Sequence, residues 1–236
     1  MAKLHRQRSL VDPLTPRPAT AETAEAALLR RLAYCTHPAE RRHLTLELVV
    51  LYSYSGRQTE AMGYLRRLLE GTGDPAEQAD YLLGLGQLME QVGDHASASV
   101  FYREGLALPR APTDTRYLLH NNLGYCLNAA RRQAEAEGHC RAAIAIDPQR
   151  YNAHKNLGVA LEGQGRCAEA VAAYVQAVHC NPHDPRALQH LERMVAAHPA
   201  LVEAVTGLAA TLQACRERVL AARRESTAGP RPKLSG

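Results

Sequence analysis

The chain has 236 residues, a formal net charge of +4 at pH 7 and a hydrophobic fraction of 46%, and it contains one Phe and no Trp. Ala and Leu dominate its apolar residues, which favours closely packed helices and argues against a β-sheet. No apolar run approaches the ~18 residues that a membrane-spanning helix requires, so the sequence argues against such a span.

The two ends of the chain differ in composition from its middle. Residues 1–20 carry four Lys or Arg against one Asp, with three prolines, and they lack the apolar core of a secretory signal. We expect a disordered basic tail there, with an organelle transit peptide as the alternative. Residues 21–41 have helical apolar spacing and are predicted to form an N-terminal capping helix. Residues 225–236 are expected to form a second flexible tail.

The middle of the chain contains a repeat. Leu123-Gly124 recurs as Leu157-Gly158, a step of 34 residues, and the segments 117–150 and 151–184 are two clear copies. A period of this length predicts helix pairs that stack on one another. Glycine in the first helix lets the two helices of a pair approach closely, and a proline ends the second helix of each copy.

Weaker copies flank the clear ones. Residues 42–78 and 79–116 keep part of the pattern and carry insertions, which are expected in the loops between pairs because loop closure there costs little. Residues 185–224 form a degenerate copy whose second helix is predicted to continue to about Arg224 and to cap the array. In the clear copy 117–150, Arg131 stands where its successor has Gly165, which predicts local strain or a different turn.

This pattern resembles that of the tetratricopeptide repeat (TPR) family. In the last clear copy the matching residues are His154, Leu157-Gly158, Leu161, Ala170, Tyr174, Ala177 and Pro182. The departures are a His where Trp is typical and, in the preceding copy, Cys140 where an aromatic is typical. The resemblance implies an all-α fold, a right-handed α-α superhelix of about five helix pairs with a C-terminal capping helix.

In such arrays the first helix of each pair lines the concave face, and residues three or four apart share one stripe. Leu83 also lies on the predicted stripe, but it is not counted among the candidate groove residues. We predict a groove that binds a peptide or helix of a partner protein, in which Asn amides bond the main chain and Lys155 takes a carboxylate. The candidate groove residues are Asp80, Gln87, Glu90, Leu118, Asn121, Asn122, Tyr125, Asn128, Asn152, Lys155, Asn156, Val159 and Glu162.

In this family, a set of Lys, Arg and Asn residues called the carboxylate clamp binds the acidic tails of heat-shock chaperones. The first helices of the copies that begin at residues 79, 117 and 151 do not reproduce this clamp. Of the positions that carry it, only Asn122 has the expected residue. Co-chaperone activity is therefore disfavoured, and a different peptide or folded partner is expected.

Other functional classes find little support in the sequence. Six cysteines without a secretory signal favour reduced thiols and a cytoplasmic protein. The only hints of metal-ligand spacing are His179-Cys180 with His183, and Cys35 with His37, which fall short of a four-ligand zinc site. No phosphate loop, nucleophile elbow or HExxH is present, and no basic stripe with interleaved aromatics indicates nucleic acid. We predict no enzyme, no cofactor and no metal.

The C-terminal region offers an alternative function. Apolar residues step by four and three along a predicted helix: Leu201, Val205, Leu208, Leu212, Cys215 and Val219. One hypothesis is a capping helix buried on the preceding pair; the other is a homo-oligomer formed through residues 200–224. The favoured function is an adaptor for another protein, the alternative is a self-associating structural scaffold, and an enzyme or metal-binding protein is remote.

Overall fold

The computed structural model describes residues 21–227, and over that range it contains helices and turns without any strand. The all-α prediction is confirmed. The helices are α1 (Ala21–Tyr34), α2 (Pro38–Tyr54), α3 (Gln58–Gly71), α4 (Pro75–Gln91), α5 (His95–Ala107), α6 (Thr113–Ala129), α7 (Gln133–Ile146), α8 (Tyr151–Gly163), α9 (Cys167–Cys180), α10 (Arg186–Ala197), α11 (Leu201–Ala204) and α12 (Leu208–Thr227). None of the helices described is long and apolar enough to cross a bilayer.

The chain divides into two compact units, with the boundary between Leu119 and His120 inside α6. In the first unit, α2 packs on α3 and α4 packs on α5. Its core joins residues of α2, α3 and α4, among them the fully buried Leu48 and Leu65 and the nearly buried Tyr81. In the second unit, α8 packs on both α7 and α9, and its core extends from Cys140 on α7 to α12.

The turn inside each helix pair requires a left-handed residue. Gly56, Gly93 and Gly165 have φ between 75° and 80°, and Arg131 takes the equivalent place with φ 57°. A left-handed backbone is comfortable for glycine and costs a residue with a Cβ about 1 kcal/mol. The copy 117–150 therefore makes the same kind of turn as its neighbours, with the strain predicted for Arg131.

The two sequence insertions lie largely in helices rather than in loops. Helices α4 and α6 each have 17 residues, whereas α8 has 13. Asp74 caps α4 by accepting a 3.0 Å hydrogen bond from the Ala76 amide, and Pro75 occupies the first turn. At α4 these start signals place the inserted residues in an additional N-terminal turn. Helix α6 likewise begins at Thr113, four residues before the copy that starts at Tyr117, so the expectation of longer loops is corrected.

The C-terminal segment is broken where a continuous seam was expected. Gly207 adopts φ 74°, so the short α11 ends before α12 begins. On α12, four seam residues and Ala222 are buried: Leu208, Leu212, Cys215, Val219 and Ala222. Helix α12 contacts α9 and α10. Helix α12 therefore caps the second unit and buries this face in its own core; it continues to Thr227, past the expected boundary at 224.

The predicted tails lie mostly outside the described residues. Residues 1–20 and 228–236 fall there entirely.

Candidate functional site

Helices α6 and α8 of the second unit are joined by a chain of amide hydrogen bonds. Asn156 donates to the side-chain oxygen of Asn121 at 3.1 Å, and Asn121 donates to that of Asn122 at 3.0 Å. Asn128 donates to the main-chain oxygen of Asn156 at 2.9 Å. Asn121 and Asn156 are 7% and 4% exposed. These amides hold the two helices in register, because a buried amide is costly unless it is bonded.

In the second unit, three polar groups of the predicted groove have donors without any described partner. The Asn122 amide nitrogen, the Asn152 side chain and the Lys155 ammonium make no hydrogen bond or ion pair with any described residue. All three side chains are half-buried. They are therefore available to a ligand, whereas the amide nitrogens of Asn121, Asn128 and Asn156 are already used inside the array.

Lys155 is the one ionisable residue of this set. Burial lowers the pKa of its ammonium from 10.5, and the nearby Arg186 lowers it further, while Asp184 and Cys140 act in the opposite direction. A partly desolvated cation without an ion pair is costly. A carboxylate from a ligand would remove that cost and stabilise the charged form.

Helix α10 adds residues to this face that the groove prediction did not include. Arg193 lies 3.4 Å from the Glu162 carboxylate on α8. The His190 ring stacks on Tyr174, with centroids 5.4 Å apart, and burial followed by the Arg193 charge lowers the pKa of His190. Leu191 occupies the same repeat position as Leu157. Counting along α10 from Leu191 would have placed both His190 and Arg193 on the stripe.

Asp184 holds the base of α10 against α8. Its carboxylate accepts a 2.6 Å hydrogen bond from the Tyr151 hydroxyl and forms an ion pair with Arg186 at 2.5 Å. The Arg186 hydrogen bonds, with the Tyr151 bond adding to them, depress the pKa of Asp184 well below 3.8. Arg186 is therefore ion-paired, whereas Lys155 has no ion pair with any described residue.

The remaining groove residues of the second unit differ in exposure. Glu162 accepts a 2.6 Å hydrogen bond from the Tyr174 hydroxyl. One of its two carboxylate oxygens is therefore used to join α8 to α9. Val159 is half-buried against the core. Tyr125 is 43% exposed and presents a flat apolar surface with a polar tip.

The predicted groove residues of the first unit are mostly used internally. Asp80 accepts a 2.5 Å bond from the Thr115 hydroxyl, and Glu90 accepts a 2.7 Å bond from Tyr102. Gln87 and Leu118 are half-buried. Leu83 is fully buried and belongs to the core, so it offers no surface to a ligand.

Residues 21–227 contain no cluster of side chains suited to bind a metal ion. No three His, Cys, Asp or Glu side chains of that range are grouped so that they could hold an ion. All six cysteines are free thiols.

Comparisons with known proteins agree with the helix-pair architecture. Residues 147–185 match the sequence model of the tetratricopeptide repeat. A solved structure described as a MamA RS-1 ArsTM double mutant is 19% identical, with a TM-score of 0.61 over 79% of this chain and 96% of that one. MamA 41-end from Desulfovibrio magneticus RS-1 is 19% identical, with a TM-score of 0.58 over 80% and 97%.

A third solved structure is the Hsp90 co-chaperone Cns1 from Saccharomyces cerevisiae, 19% identical, with a TM-score of 0.51 over 66% of this chain and 46% of that one. No curated protein sequence matches this chain. At these identities the likenesses establish the fold.

Proposed function

We propose that this tetratricopeptide-repeat protein is a non-catalytic adaptor whose second unit binds an acidic peptide or helix of another protein along α6 and α8. The proposal rests on one observation: the ammonium of the half-buried Lys155 forms no ion pair with any described residue. On the same predicted stripe, the amide nitrogen of Asn122 and the side chain of Asn152 make no hydrogen bond with any described residue.

The chemistry of these residues suits a polypeptide ligand. An Asn side chain can donate to a main-chain carbonyl and accept from a main-chain N–H without reading side chains. Lys155 supplies a charge for an acidic side chain or a terminal carboxylate. Tyr125, 43% exposed, offers an apolar contact of the kind enriched at protein interfaces.

Charge on this face favours an acidic partner. Arg193 on α10 is paired with Glu162, which also receives a tyrosine hydroxyl, and Arg186 is paired with Asp184. The positive charge left without an ion pair on this face is therefore that of Lys155. This arrangement would steer acidic segments toward the face and repel basic ones.

The likeness to Cns1, an Hsp90 co-chaperone, supports a protein as the kind of partner. The clamp residues that the family uses for chaperone tails are largely missing from the helices compared above, so we propose a different acidic partner. The free thiols are compatible with a cytoplasmic protein, and that location is part of the proposal.

The test is peptide selection on the full-length chain followed by affinity measurement. Peptides selected from a random display library should be enriched in Asp and Glu. Lys155→Glu should weaken a selected peptide by about tenfold or more, which corresponds to the loss of one charged hydrogen bond. Arg218→Glu makes the same charge change at an exposed residue of α12 and should leave the affinity unchanged. A library that yields no acidic peptide, or equal losses in both variants, contradicts the proposal.

Self-association through residues 200–224 is the less favoured function. Four of the six seam residues are buried in the core of the second unit, so they are not available to a second copy. Sedimentation of the intact chain distinguishes the two: a dimer that Leu212→Ala dissociates without loss of stability would favour the scaffold.

A further inference from the structure

The first unit contains a cavity that the peptide stripe does not use. It lies among α1, α2, α3 and α4, with a volume of about 410 Å³. That volume falls in the ~300–1,000 Å³ range typical of small-molecule sites. Its walls combine apolar side chains of Leu32, Pro38 and Leu68 with two tyrosines and three arginines.

The arginines give the cavity an excess of positive charge. Arg42 forms an ion pair with Glu77, the one acidic residue of the wall. Arg41 donates to the carbonyl oxygens of Leu32 and Cys35, at 3.1 and 3.3 Å, and these are neutral acceptors. Arg67 lies over the Tyr64 ring, 5.6 Å from its centroid, and makes no ion pair with any described carboxylate. Arg41 and Arg67 are both solvent-exposed at the rim of the cavity, and neither forms an ion pair with a described carboxylate.

Tyr81 provides an independent observation. Its side chain is 3% exposed and lines the cavity, yet its hydroxyl makes no hydrogen bond with any described residue. Burial, followed by the Glu77 charge, raises the pKa of Tyr81 to about 12, so the hydroxyl remains a donor at neutral pH. The hydroxyl can therefore donate to a ligand acceptor in the cavity.

We propose that this cavity binds a small anionic molecule, a phosphate ester or carboxylate attached to an apolar ring. Arg67 and Arg41 hold the anionic group, and Tyr81 donates to it. Leu32, Leu68 and the Tyr64 ring contact the apolar part. Guanidinium groups match phosphate and carboxylate oxygens in pairs, which makes them the preferred cation for such ligands.

The site is separate from the proposed peptide stripe. On α4 the cavity uses Glu77 and Tyr81, which are one helical turn apart, whereas the predicted groove uses Asp80 and Gln87. Lys155 belongs to the other unit. The two proposals can therefore fail independently.

The test uses the full-length chain with three probes: phenyl phosphate, benzoate and the neutral benzyl alcohol. We expect calorimetry to detect an anion with a Kd of about 1 mM or lower, and benzyl alcohol to bind about tenfold more weakly. The stronger of the two anions identifies phosphate ester or carboxylate as the ligand class. Amide NMR shifts should concentrate at residues lining the cavity, with Lys155 and its neighbours unchanged.

Three variants locate the binding. Arg67→Gln should weaken the anion about tenfold, and Tyr81→Phe several-fold, because each removes one donor. Arg66→Gln is the matched control, an exposed arginine on the same helix that does not line the cavity, and it should have no effect. Circular dichroism confirms that each variant is folded.

Four results would overturn the proposal. They are no anion bound at about 10 mM, equal binding of benzyl alcohol, equal losses in the Arg66 and Arg67 variants, or shifts concentrated around Lys155.

Discussion

The hydroxyl of Tyr174 on α9 donates a 2.6 Å hydrogen bond to Glu162 on α8, and the Tyr174 ring lies against Gly158 of the same helix. The first unit repeats this arrangement, with Tyr102 donating to Glu90 at 2.7 Å. These two repeats thus close their helix pairs with one charged hydrogen bond in addition to apolar packing.

Removing the hydroxyl should lower stability without disturbing the packing. We expect Tyr174→Phe to reduce the free energy of unfolding by about 1 kcal/mol, because Glu162 loses a donor in a partly buried place. Urea denaturation followed by circular dichroism measures the change. Tyr54→Phe, at a tyrosine 79% exposed, is the control and should be neutral. Equal effects would show that the Tyr174 bond adds nothing.

The glycine beneath the ring should be intolerant of a methyl group. A Cβ at Gly158 would lie 2.5 Å from the Tyr174 ring, which is fully buried. We expect Gly158→Ala to destabilise by about 1–3 kcal/mol, because the ring must be displaced. Gly138→Ala, on the open face of α7, should instead stabilise by about 0.5–1 kcal/mol through helix propensity. Thermal unfolding of both variants checks the opposite signs.

The copy with Cys140 lacks the tyrosine bond. Asn128 stands where the other copies have Glu90 and Glu162, and its buried side-chain oxygen has no hydrogen-bond partner among the described residues. We expect Cys140→Tyr alone to destabilise by about 1–3 kcal/mol through overpacking. The hydroxyl of the introduced tyrosine can donate to this Asn128 oxygen, so Asn128→Ala should cost about 1 kcal/mol more in the Cys140→Tyr background than in the unchanged chain. A double-mutant cycle measures this coupling, and a coupling of zero would contradict it.

Because α12 caps the second unit, we expect a buried leucine of this helix to contribute more to the free energy of unfolding than an exposed one. Leu212 is 8% exposed and Leu220 is 50% exposed. We expect Leu212→Ala to cost about 2–3 kcal/mol, and Leu220→Ala to stay within about 0.5 kcal/mol. Chemical denaturation gives both values. Truncation after Ala210 should unfold the second unit, and a folded monomer after that truncation would contradict the capping role.

Acid should weaken the second unit through Asp184. Arg186, and then Tyr151, hold the pKa of this carboxyl below its unfolded value of 3.8. The unfolded chain therefore binds more protons in acid, so this stabilisation is complete above that value and decreases as pH falls through it toward the folded pKa. Asp184→Asn should flatten the loss of stability below pH ~4. Glu203→Gln, an exposed acid without a described partner, should leave the profile unchanged.

The sequence predicts a stripe of groove residues but not the hydrogen bonds that they make. Register counting assigns Lys155, Asn122 and Asn152 to one face, and in the structure the Lys155 ammonium, the Asn122 amide nitrogen and the Asn152 side chain have no described partner. It placed Asn121 and Asn156 there equally, yet these amides bond each other across α6 and α8. Spacing along one helix cannot reveal which amide meets an amide of the next helix.

The cavity of the first unit could not have been found from the sequence. Its residues come from four helices and follow no single period. Arg67 resembles any exposed arginine until Tyr64 and Tyr81 are seen beside it. Residue spacing along one helix indicates which side chains share a face of that helix. A cavity forms where the faces of several helices leave a gap, and spacing within one helix does not indicate such a gap.

By itself the order of residues determined that the chain forms helix pairs, because glycine, alanine and proline recur at the period that close pairing requires. It also determined where each pair turns, even with Arg131 in the left-handed position. Only the tertiary structure decided which polar groups are satisfied, that α12 buries its apolar face, and that two arginine charges remain unpaired at a cavity. Those outcomes depend on contacts between helices distant in the chain, whose distances no local spacing encodes.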